Sequence, residues 1–421
     1  RSGKYEAAFR LHMEDAPLPG SLSRACYAPC EGQCTRDEVE GKVPIRGIKR
    51  FMVDYYYERH PEPEYGPPET RNGKTVAVVG SGPAGLSAAY FLSRRGYGVT
   101  VFEGGPEAGG MLRHGIPPFR LPKELVDRDI RNVTALGVEI RTGTPVGSIA
   151  SLNDQGFDAA FLALGTMEGQ GMEVSGRELS GVLESMDLLA TGNAGGRMDL
   201  SGKRVAVIGG GNVAIDSARM ALRMGAGTVA IYYRRSRAEM PAHDFEIQAA
   251  LDEGIELHEL RTPNRFLGEN GVLVAVDWLS MKLGEPDASG RRRPVPVKGS
   301  GVTRPADIAV LAVGLKPSTR PFATELGLNR DGTIQADPET LATSLPNVFA
   351  GGDDVTGPSM IIEAIAQGKR AAFYIDRSLQ GLPLSGISYD ARLSAVNGKE
   401  VLDRADLPPS SRAPAVPREL P

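Results

Sequence analysis

An internal repeat restricts the possible fold more than any other feature of the sequence. The segment Gly-Lys-Thr-Val-Ala-Val-Val-Gly-Ser-Gly at 73–82 returns as Gly-Lys-Arg-Val-Ala-Val-Ile-Gly-Gly-Gly at 202–211, an offset of 129 residues. A second pair of similar apolar segments, each ending at a glycine, follows at 157–165 and 306–314. In both copies a short apolar strand leads into a glycine turn and then into a helical pattern. The repeat therefore predicts an α/β fold with two similar domains.

The first copy has the features of a dinucleotide-binding turn. The strand at 75–79 is followed by Gly80-Ser-Gly82-Pro-Ala-Gly85 and an apolar helical stretch. Such glycines permit a tight turn, let the backbone approach a pyrophosphate and let helix and strand pack closely, with the helix N-terminus facing the phosphates. The next strand ends at Glu103, where a carboxylate can accept hydrogen bonds from ribose hydroxyls. These features predict a Rossmann-type site.

The second copy differs at the end of its companion strand. Its turn reads Gly209-Gly-Gly-Asn-Val-Ala214, with alanine in place of the third glycine, a replacement that such folds accept. The strand at 228–233 ends in Arg234 and Arg235 instead of an acid. Because guanidinium groups pair with a 2′-phosphate, this end favours NADP over NAD. Arginines at such a place also occur on solvated faces or against the pyrophosphate, and that alternative stays open.

A distant segment assigns the flavin to the first domain. The run Thr343-Ser-Leu-Pro-Asn-Val-Phe-Ala-Gly-Gly-Asp353 resembles the C-terminal fingerprint of FAD-binding Rossmann proteins. By that resemblance Asp353 bonds the ribityl chain, and a helical run at 359–367 points its positive N-terminus at the flavin. A helix N-cap role for Asp353 is the alternative.

Several motifs together resemble the small subunit of NADPH-dependent glutamate synthase. They are Gly80 to Gly85, Gly109-Gly-Met-Leu-Arg-His-Gly-Ile-Pro117, Gly209 to Asp216, Tyr233-Arg-Arg235, Glu239-Met-Pro241 and Gly351-Gly-Asp353. The same module resembles the flavin part of dihydropyrimidine dehydrogenase and of NADH-dependent ferredoxin:NADP oxidoreductases. The resemblance implies FAD, a nicotinamide domain inserted into the FAD domain, hydride exchange with NAD(P)(H) and single electrons exchanged with an iron–sulfur partner.

The motifs predict a set of cofactor contacts and no catalytic side chain, because hydride transfer between stacked rings needs orientation and not an acid–base pair. The predicted FAD contacts are Gly80, Gly82, Pro83, Ala84, Gly85, Glu103, Gly110, Met111, Arg113, Gly165, Gly352, Asp353, Met360 and Ile361. The predicted NAD(P) contacts are Gly209, Gly211, Asn212, Val213, Ala214, Arg234, Arg235 and Gly314.

All three cysteines, Cys26, Cys30 and Cys34, lie within nine residues, which is typical of a metal or redox cluster. By resemblance this segment is a cluster-binding module in which Leu22 replaces a cysteine and Lys49 an acidic or amide ligand. A cubane cluster requires four ligands, mostly thiolates, and lysine is a cation that carries only donors. We therefore predict no metal site and a remnant module that docks a partner, with a bound iron–sulfur cluster as the less favoured alternative.

Proline-rich stretches and the repeat together predict the domain boundaries. We expect a mainly helical module at 1–60, a linker at 61–72, the FAD domain at 73–195 and 319–380, the NAD(P) domain at 196–318 and a Pro-rich tail at 381–421.

The net charge of −4, from 48 basic and 52 acidic residues, favours neither nucleic acid nor an anionic membrane as a partner. No apolar run reaches the roughly 18 residues that span a bilayer, and no secretory signal is recognisable, so we expect a cytoplasmic protein. The expected partners are an iron–sulfur ferredoxin-like subunit and a larger catalytic subunit, of the glutamate synthase type or the molybdenum or tungsten aldehyde oxidoreductase type.

Two other functions fit the same architecture. A self-contained flavin disulfide reductase would require a redox-active Cys-x-x-Cys pair, and no cysteine follows Cys34. A noncatalytic assembly subunit that retains its nucleotides for structure is the second alternative, and two intact nucleotide fingerprints argue against it.

Overall fold

A computed structural model describes residues 3–38, 40–287, 290–387 and 389. The helices are α1 Tyr5–Met13, α2 Pro19–Ala25, α3 Pro29–Gly32, α4 Ile45–Arg59, α5 Pro83–Arg94, α6 Met111–His114, α7 Lys123–Thr134, α8 Ile149–Asp154, α9 Ser185–Asn193, α10 Asn212–Arg223, α11 Asp244–Asp252, α12 Asp353–Thr356 and α13 Ile361–Leu379. The strands are β1 Thr75–Val79, β2 Gly98–Phe102, β3 Glu139–Arg141, β4 Ala159–Leu162, β5 Glu168–Gly169, β6 Val182–Glu184, β7 Arg204–Ile208, β8 Thr228–Tyr233, β9 Glu256–Glu259, β10 Arg261–Glu269, β11 Val272–Pro286, β12 Arg292–Pro296, β13 Val302–Pro305, β14 Ile308–Leu311, β15 Leu315–Lys316 and β16 Val348–Ala350.

The chain divides into two compact units. The first contains the described parts of 1–109, 118–165 and 319–421, and the second contains 110–117 and those of 166–318. The sequence placed the end of the first nucleotide domain at 195/196, which lies inside the second unit, because β6 pairs in parallel with β14. The second unit is thus inserted between two parts of the first.

The first unit is built on a parallel sheet of five strands in the order β16-β4-β1-β2-β3. Four of the five residues of β1 are buried, as expected for a parallel strand covered on both faces. Val76 of β1 pairs with Ala159 of β4, so the two apolar segments of the first copy of the repeat, 73–82 and 157–165, lie side by side. The apolar runs therefore form the core strands that the sequence predicted.

The second unit repeats this arrangement with the order β6-β14-β7-β8-β9, again all parallel. It adds an antiparallel sheet in which β10, β12 and β13 each pair with the long strand β11. Trp278 of β11 is buried and stacks on Tyr232 of β8 with ring centroids 3.7 Å apart. The added sheet thereby packs onto the parallel sheet.

The N-terminal module of the first unit is mainly helical, as predicted, and is attached through a buried carboxylate. Asp129 of α7 accepts hydrogen bonds from the backbone N–H groups of Gly20 and Ser21, at 2.9 and 2.7 Å, which start α2. The Tyr57 hydroxyl of α4 also donates to Asp129, at 3.2 Å. Burial raises the pKa of Asp129 to about 6, against the hydrogen bonds that favour its charged form. This residue joins α2, α4 and α7.

The predicted linker contains no regular secondary structure between α4 and β1. Its first part is nevertheless fixed, because the Arg128 guanidinium of α7 donates to the backbone carbonyls of His60, Pro61 and Glu62. Within the described residues, no helix is long and apolar enough to cross a membrane. Most of the predicted C-terminal tail, from 390 onward, lies outside the described residues.

Candidate nucleotide-binding sites

The first glycine turn, in the first unit, is shaped as the sequence predicted. Gly80 has a φ of +105°, and a Cβ there would overlap the carbonyl oxygen of Ala163. A Cβ at Gly85 would overlap the carbonyl oxygen of Gly80. At Gly82, the N-cap of α5, a Cβ would meet no protein atom within 4 Å. Since the protein leaves this side of Gly82 open, the turn fits a pyrophosphate that approaches the backbone at the N-terminus of α5.

Glu103 lies beside this turn, directly after β2. Its carboxylate accepts hydrogen bonds from the N–H of Ser81, at 3.1 Å, and of Gly105, at 2.8 Å, and from the Ser81 hydroxyl. The Ser81 Oγ in turn accepts from the N–H of Gly109, at 3.0 Å. Ser81 therefore holds the predicted ribose-binding carboxylate against the turn. This role of Ser81 was not predicted, because a hydroxyl between two glycines is a weak signal in the sequence.

The distant FAD element folds next to β4 in the same unit. Gly352, with a φ of +98°, is the N-cap of α12, so Asp353 begins the helix and is not its N-cap. Asp353 Oδ1 accepts hydrogen bonds from the N–H and the hydroxyl of Ser359, at 3.1 and 2.7 Å. Neighbouring Asp354 is buried and accepts from the N–H of Leu164, at 2.8 Å. Burial, reinforced by the charge of Asp353, raises the pKa of Asp354 well above its ordinary value.

Helix α13 begins at Ile361, two residues later than the predicted start, because Ser359 is bonded to Asp353. Its N-cap, Met360, donates its N–H to the Glu363 carboxylate at 2.9 Å. Gly368 allows α13 to lie against α5, since a Cβ there would overlap the Ala84 carbonyl oxygen. The first unit thus brings together eleven of the predicted FAD residues: Gly80, Gly82, Pro83, Ala84, Gly85, Glu103, Gly165, Gly352, Asp353, Met360 and Ile361.

Three other predicted FAD residues, Gly110, Met111 and Arg113, belong to the second unit. Met111 packs in an apolar cluster with residues of that unit, including Leu189 and Leu315. The backbone carbonyl of His114 accepts a hydrogen bond from Asn193 at 2.6 Å. Contact of these residues with FAD stays a prediction.

The second glycine turn lies in the second unit. Gly209 has a φ of +152°, and a Cβ there would overlap the carbonyl oxygen of Ala312. Gly211 is the N-cap of α10, and the Ala214 methyl group is fully buried. A loop that follows β8 covers the turn, since Ala242 N–H donates to the Gly210 carbonyl at 3.2 Å. Asn212, Val213 and Gly314 lie in this unit as well.

Beside this turn an open cavity of about 600 Å³ is lined by Arg237, Ala238, Met240, Ala242, His243 and Asp244. The backbone N–H of His243 donates to the Asn212 side chain at 3.3 Å, which joins the starts of α10 and α11. The cavity is large enough for part of a nucleotide. No motif in the sequence predicted this cavity.

The two arginines after β8 have different environments. Arg234 is exposed, whereas Arg235 is only 5% exposed. The Arg235 guanidinium is 2.6 Å from the Asp287 carboxylate and donates to the Arg292 carbonyl at 2.8 Å. Arg235 therefore ties Asp287 and Arg292 to the end of β8, while Arg234 presents its charge to solvent. A role of either residue in binding a 2′-phosphate stays a prediction.

The cysteine segment offers a poor ligand set. Cys26 is buried and its Sγ accepts from the Ala28 N–H at 3.3 Å, Cys34 Sγ accepts from the Val43 N–H at 3.5 Å, and Cys30 is exposed. Leu22 is fully buried in the module core. In the part of the chain that the structure describes, no three His, Cys, Asp or Glu side chains are placed to hold a metal ion. These residues do not fit a four-ligand iron–sulfur cluster.

Two protein families match this chain. The pyridine nucleotide-disulphide oxidoreductase family matches residues 74–368, which include both glycine turns. Domain II of dihydropyrimidine dehydrogenase, described as a 4Fe–4S cluster domain, matches residues 1–61.

Curated relatives align with most of this chain. The chain is 43% identical over 404 residues to the beta subunit of an NADP(+)-dependent formate dehydrogenase from Moorella thermoacetica, covering 90% of this chain and 57% of that protein. It is 35% identical over 388 residues to the glutamate synthase [NADPH] small chain of Escherichia coli K12, covering 87% and 82% of the two chains. The chain thus spans less than two thirds of the length of the first relative.

Among solved structures, FprA of Mycobacterium tuberculosis in complex with NADPH superposes with a TM-score of 0.63 and 21% identity, covering 73% of this chain and 85% of FprA. At that identity the likeness establishes the fold alone. It agrees with the predicted fold class, an α/β protein with parallel sheets that follow a helical N-terminal module.

Proposed function

Because the chain belongs to the pyridine nucleotide-disulphide oxidoreductase family, we propose that it is an FAD-containing electron-transfer subunit, which exchanges hydride with NAD(P)(H) and single electrons with an iron–sulfur partner. The observation that carries the proposal is the contrast between the two glycine turns. One has the carboxylate of Glu103 at the end of its companion strand, and the other has the guanidinium of Arg234. The contrast supports two different nucleotides, one in each unit.

In the first unit, this chain's residues would hold FAD by its phosphates, its ribose and its ribityl chain. The N–H groups at the start of α5 would bind the pyrophosphate, and Gly82 would let it approach the backbone. Glu103, positioned by Ser81, would accept the ribose hydroxyls. Asp353 would bond the ribityl chain, and the N-terminus of α13 would face the flavin.

In the second unit, the N-terminus of α10 would bind the pyrophosphate of the nicotinamide nucleotide. Arg234 would pair with the 2′-phosphate, which makes NADP(H) the favoured nucleotide. Arg235 would contribute indirectly, by holding Asp287 at the end of β8.

When bound, FAD accepts a hydride from the reduced nicotinamide and can release the electrons one at a time. The protein's part in this chemistry is to bind and orient both nucleotides, so we assign no catalytic side chain. All cysteines of the chain precede position 35 and are free thiols, which gives no support to a self-contained disulfide reductase.

We propose that the electrons pass to or from a ferredoxin-like iron–sulfur subunit. The N-terminal module supports this, because it matches a cluster domain while its three cysteines are one thiolate short of the four ligands of a cubane cluster. The formate dehydrogenase and glutamate synthase relatives suggest a larger catalytic subunit, and a molybdenum or tungsten aldehyde oxidoreductase is another candidate. The free thiols agree with a cytoplasmic location, which is part of the proposal.

Anaerobic titration of the FAD-loaded chain with NADPH, and in parallel with NADH, tests the proposal. We expect NADPH to bleach the visible flavin absorbance stoichiometrically. The Glu103→Gln variant should lose FAD affinity by about tenfold, because a charge-assisted hydrogen bond is weakened, and the bleaching per bound flavin should persist. If the flavin stays oxidised with both nucleotides, the chain is a noncatalytic assembly subunit and the proposed function is wrong.

A further inference from the structure

Asp354, the second residue of α12, keeps a carboxyl group in the interior of the first unit. The residue is fully buried. Its Oδ2 accepts a hydrogen bond from the Leu164 N–H at 2.8 Å, whereas its Oδ1 is buried without a hydrogen-bond partner among the residues that the structure describes. Because buried polar atoms are nearly always paired, this oxygen indicates a partner that the chain itself does not supply.

The carboxyl group lies where three segments of the predicted FAD site meet. The Leu164 nitrogen, which it bonds, is 3.4 Å from the position that a Cβ on Gly80 would take. Oδ1 itself is 3.9 Å from the position of a Cβ on Gly352, and that position is 3.0 Å from the Cβ of Ala84 at the start of α5. The unpaired oxygen is therefore next to the turn that is predicted to bind the FAD pyrophosphate.

The neighbours of Asp354 supply no positive charge. The segments that contribute them contain no charged residue: 80–93, 159–167, 332–336 and 347–352. The segment 332–336 is among them because the Ile334 N–H donates to the Asp354 backbone carbonyl at 2.8 Å. A carboxyl group that is buried without a cation is more stable as the neutral acid.

The pKa of Asp354 agrees with this environment. Burial, reinforced by the like charge of Asp353, raises it well above the ordinary value of 3.8. The N–H groups of Leu164 and of Asp354 itself favour the charged form and oppose that rise. With Oδ2 accepting from Leu164, the neutral acid carries its proton on Oδ1 as an O–H donor.

We propose that Asp354 is a further residue of the FAD site, whose Oδ1–H donates a hydrogen bond to a phosphate oxygen of FAD at the start of α5. Phosphate oxygens accept hydrogen bonds and are negatively charged, so they attract a neutral acid and repel a carboxylate. A hydrogen bond to a charged oxygen is also stronger than one between neutral groups. The proposal rests on the proposed function only for the presence of FAD.

Titration of the full apoprotein with FAD, followed by the change in flavin fluorescence, measures the affinity. Asp354→Asn should bind FAD within about threefold of wild type, because the amide oxygen can accept from Leu164 while the NH2 group replaces the O–H donor. Asp354→Leu has a similar shape and no donor, so it should raise the Kd for FAD about tenfold. The matched control Asp154→Asn makes the same change at an exposed residue of the first unit and should leave the Kd unchanged.

Infrared difference spectra separate contact with the cofactor from a structural role. A protonated carboxyl group has a C=O stretch that is distinct from the bands of a carboxylate. Addition of FAD to the wild-type apoprotein should shift this band, because the O–H gains an acceptor, and the shifting band should be missing in Asp354→Asn. This measurement needs no data from Asp354→Leu and therefore decides the question even if that variant does not fold.

The outcomes separate the two proposals. A wild-type chain that does not bind FAD overturns the proposed function. If the wild type binds FAD, an unchanged Kd in Asp354→Leu, or an equal loss of affinity in Asp354→Asn and Asp354→Leu, overturns the assignment of Asp354 alone. The lack of an FAD-dependent carboxyl band that Asp354→Asn removes also overturns it, because Asp354 would then be ionised or out of contact with FAD.

Discussion

The two glycine turns begin from nearly identical sequences and differ at their second residue. In the first unit Ser81 bonds Glu103 after β2, and in the second Gly210 stands at the same place. A Cβ at Gly210 would lie within 2.8 Å of three ring atoms of Tyr233, the last residue of β8. In the second unit, the Tyr233 ring at the end of β8 therefore leaves no room for a side chain at position 210. The same frame can serve different nucleotides because the strand end and the turn change together.

The third turn position shows the same dependence. A methyl group at Gly85 would overlap the Gly80 carbonyl oxygen. At the equivalent position of the second turn, the Ala214 methyl group is present and fully buried. Glycine is therefore a requirement of packing in the first unit only. Exchanging residues between the two turns tests whether they differ in the side chains that they tolerate.

Gly85→Ala should have the largest effect, because a backbone oxygen cannot move aside without shifting β1 or α5. We expect a loss of about 3 kcal/mol in the free energy of unfolding, and loss of bound FAD. The reciprocal change, Ala214→Gly, should cost about 1 kcal/mol. Denaturant unfolding and flavin content measure both. Equal losses in the two variants would show that the turns tolerate the methyl group alike.

Gly210→Ser imports the residue of the first turn into the second. Its Cβ would press on the Tyr233 ring, whose hydroxyl is held by a 2.9 Å hydrogen bond to the Glu239 carbonyl. We expect a loss of about 2 kcal/mol in stability and weaker NADPH binding. Ser81→Gly removes hydrogen bonds without overlap and should cost about 1 kcal/mol. Calorimetry measures the unfolding of both variants. A larger loss of stability in Ser81→Gly than in Gly210→Ser would contradict the proposed difference between the two turns.

Arg234→Ala tests the strand end of the second unit. If Arg234 pairs with a 2′-phosphate, losing one charge-assisted hydrogen bond should raise the KM for NADPH about tenfold, about 1.4 kcal/mol. The KM for NADH should not change, because NADH has no 2′-phosphate. Steady-state reduction of ferricyanide with each nucleotide makes the measurement. A parallel rise for NADH would assign Arg234 to the pyrophosphate or to structure instead.

Arg204→Thr should have the smallest effect and tests the starts of the two sheets. Asp158 accepts from the Thr75 N–H at 2.7 Å, and Asp307 accepts from the Arg204 N–H at 2.8 Å. In the second unit only, the Arg204 guanidinium adds hydrogen bonds to Asp307, which lower the pKa of that carboxyl to about 2. Because the pair is half exposed, the substitution should cost less than about 1 kcal/mol at pH 7.

The sign of the pH dependence follows from the lowered pKa of Asp307. The stabilisation is complete above the ordinary carboxyl pKa of 3.8 and is lost as the pH falls through about 2. Urea unfolding of wild type and Arg204→Thr should therefore differ less at pH 3 than at pH 7. An equal difference at both pH values would assign the effect to packing of the arginine stem.

Local patterns in the sequence were sufficient for much of the fold. The repeat predicted two similar α/β domains, and the glycine spacing predicted that the strands now seen as β1 and β7 each lead into a glycine turn. Those features are readable because each depends on residues adjacent in the chain. The antiparallel sheet around β11 was missed, although the hairpin of β10 and β11 has a local signal: Asn270-Gly271, with φ of +50° and +79°, joins the two strands.

The pair of strand–turn–helix units could be predicted from the sequence alone, and so could the chemical difference between Glu103 and the arginines after β8. Three contacts became visible only in the folded chain: Ser81 positions Glu103, Asp287 holds Arg235, and Asp129 joins the helical module to α7. Each of these depends on a polar group whose partner lies 22, 52 or 108 residues away. Burial requires such groups to be paired, but it does not specify the partner, which only the folded chain brings within reach.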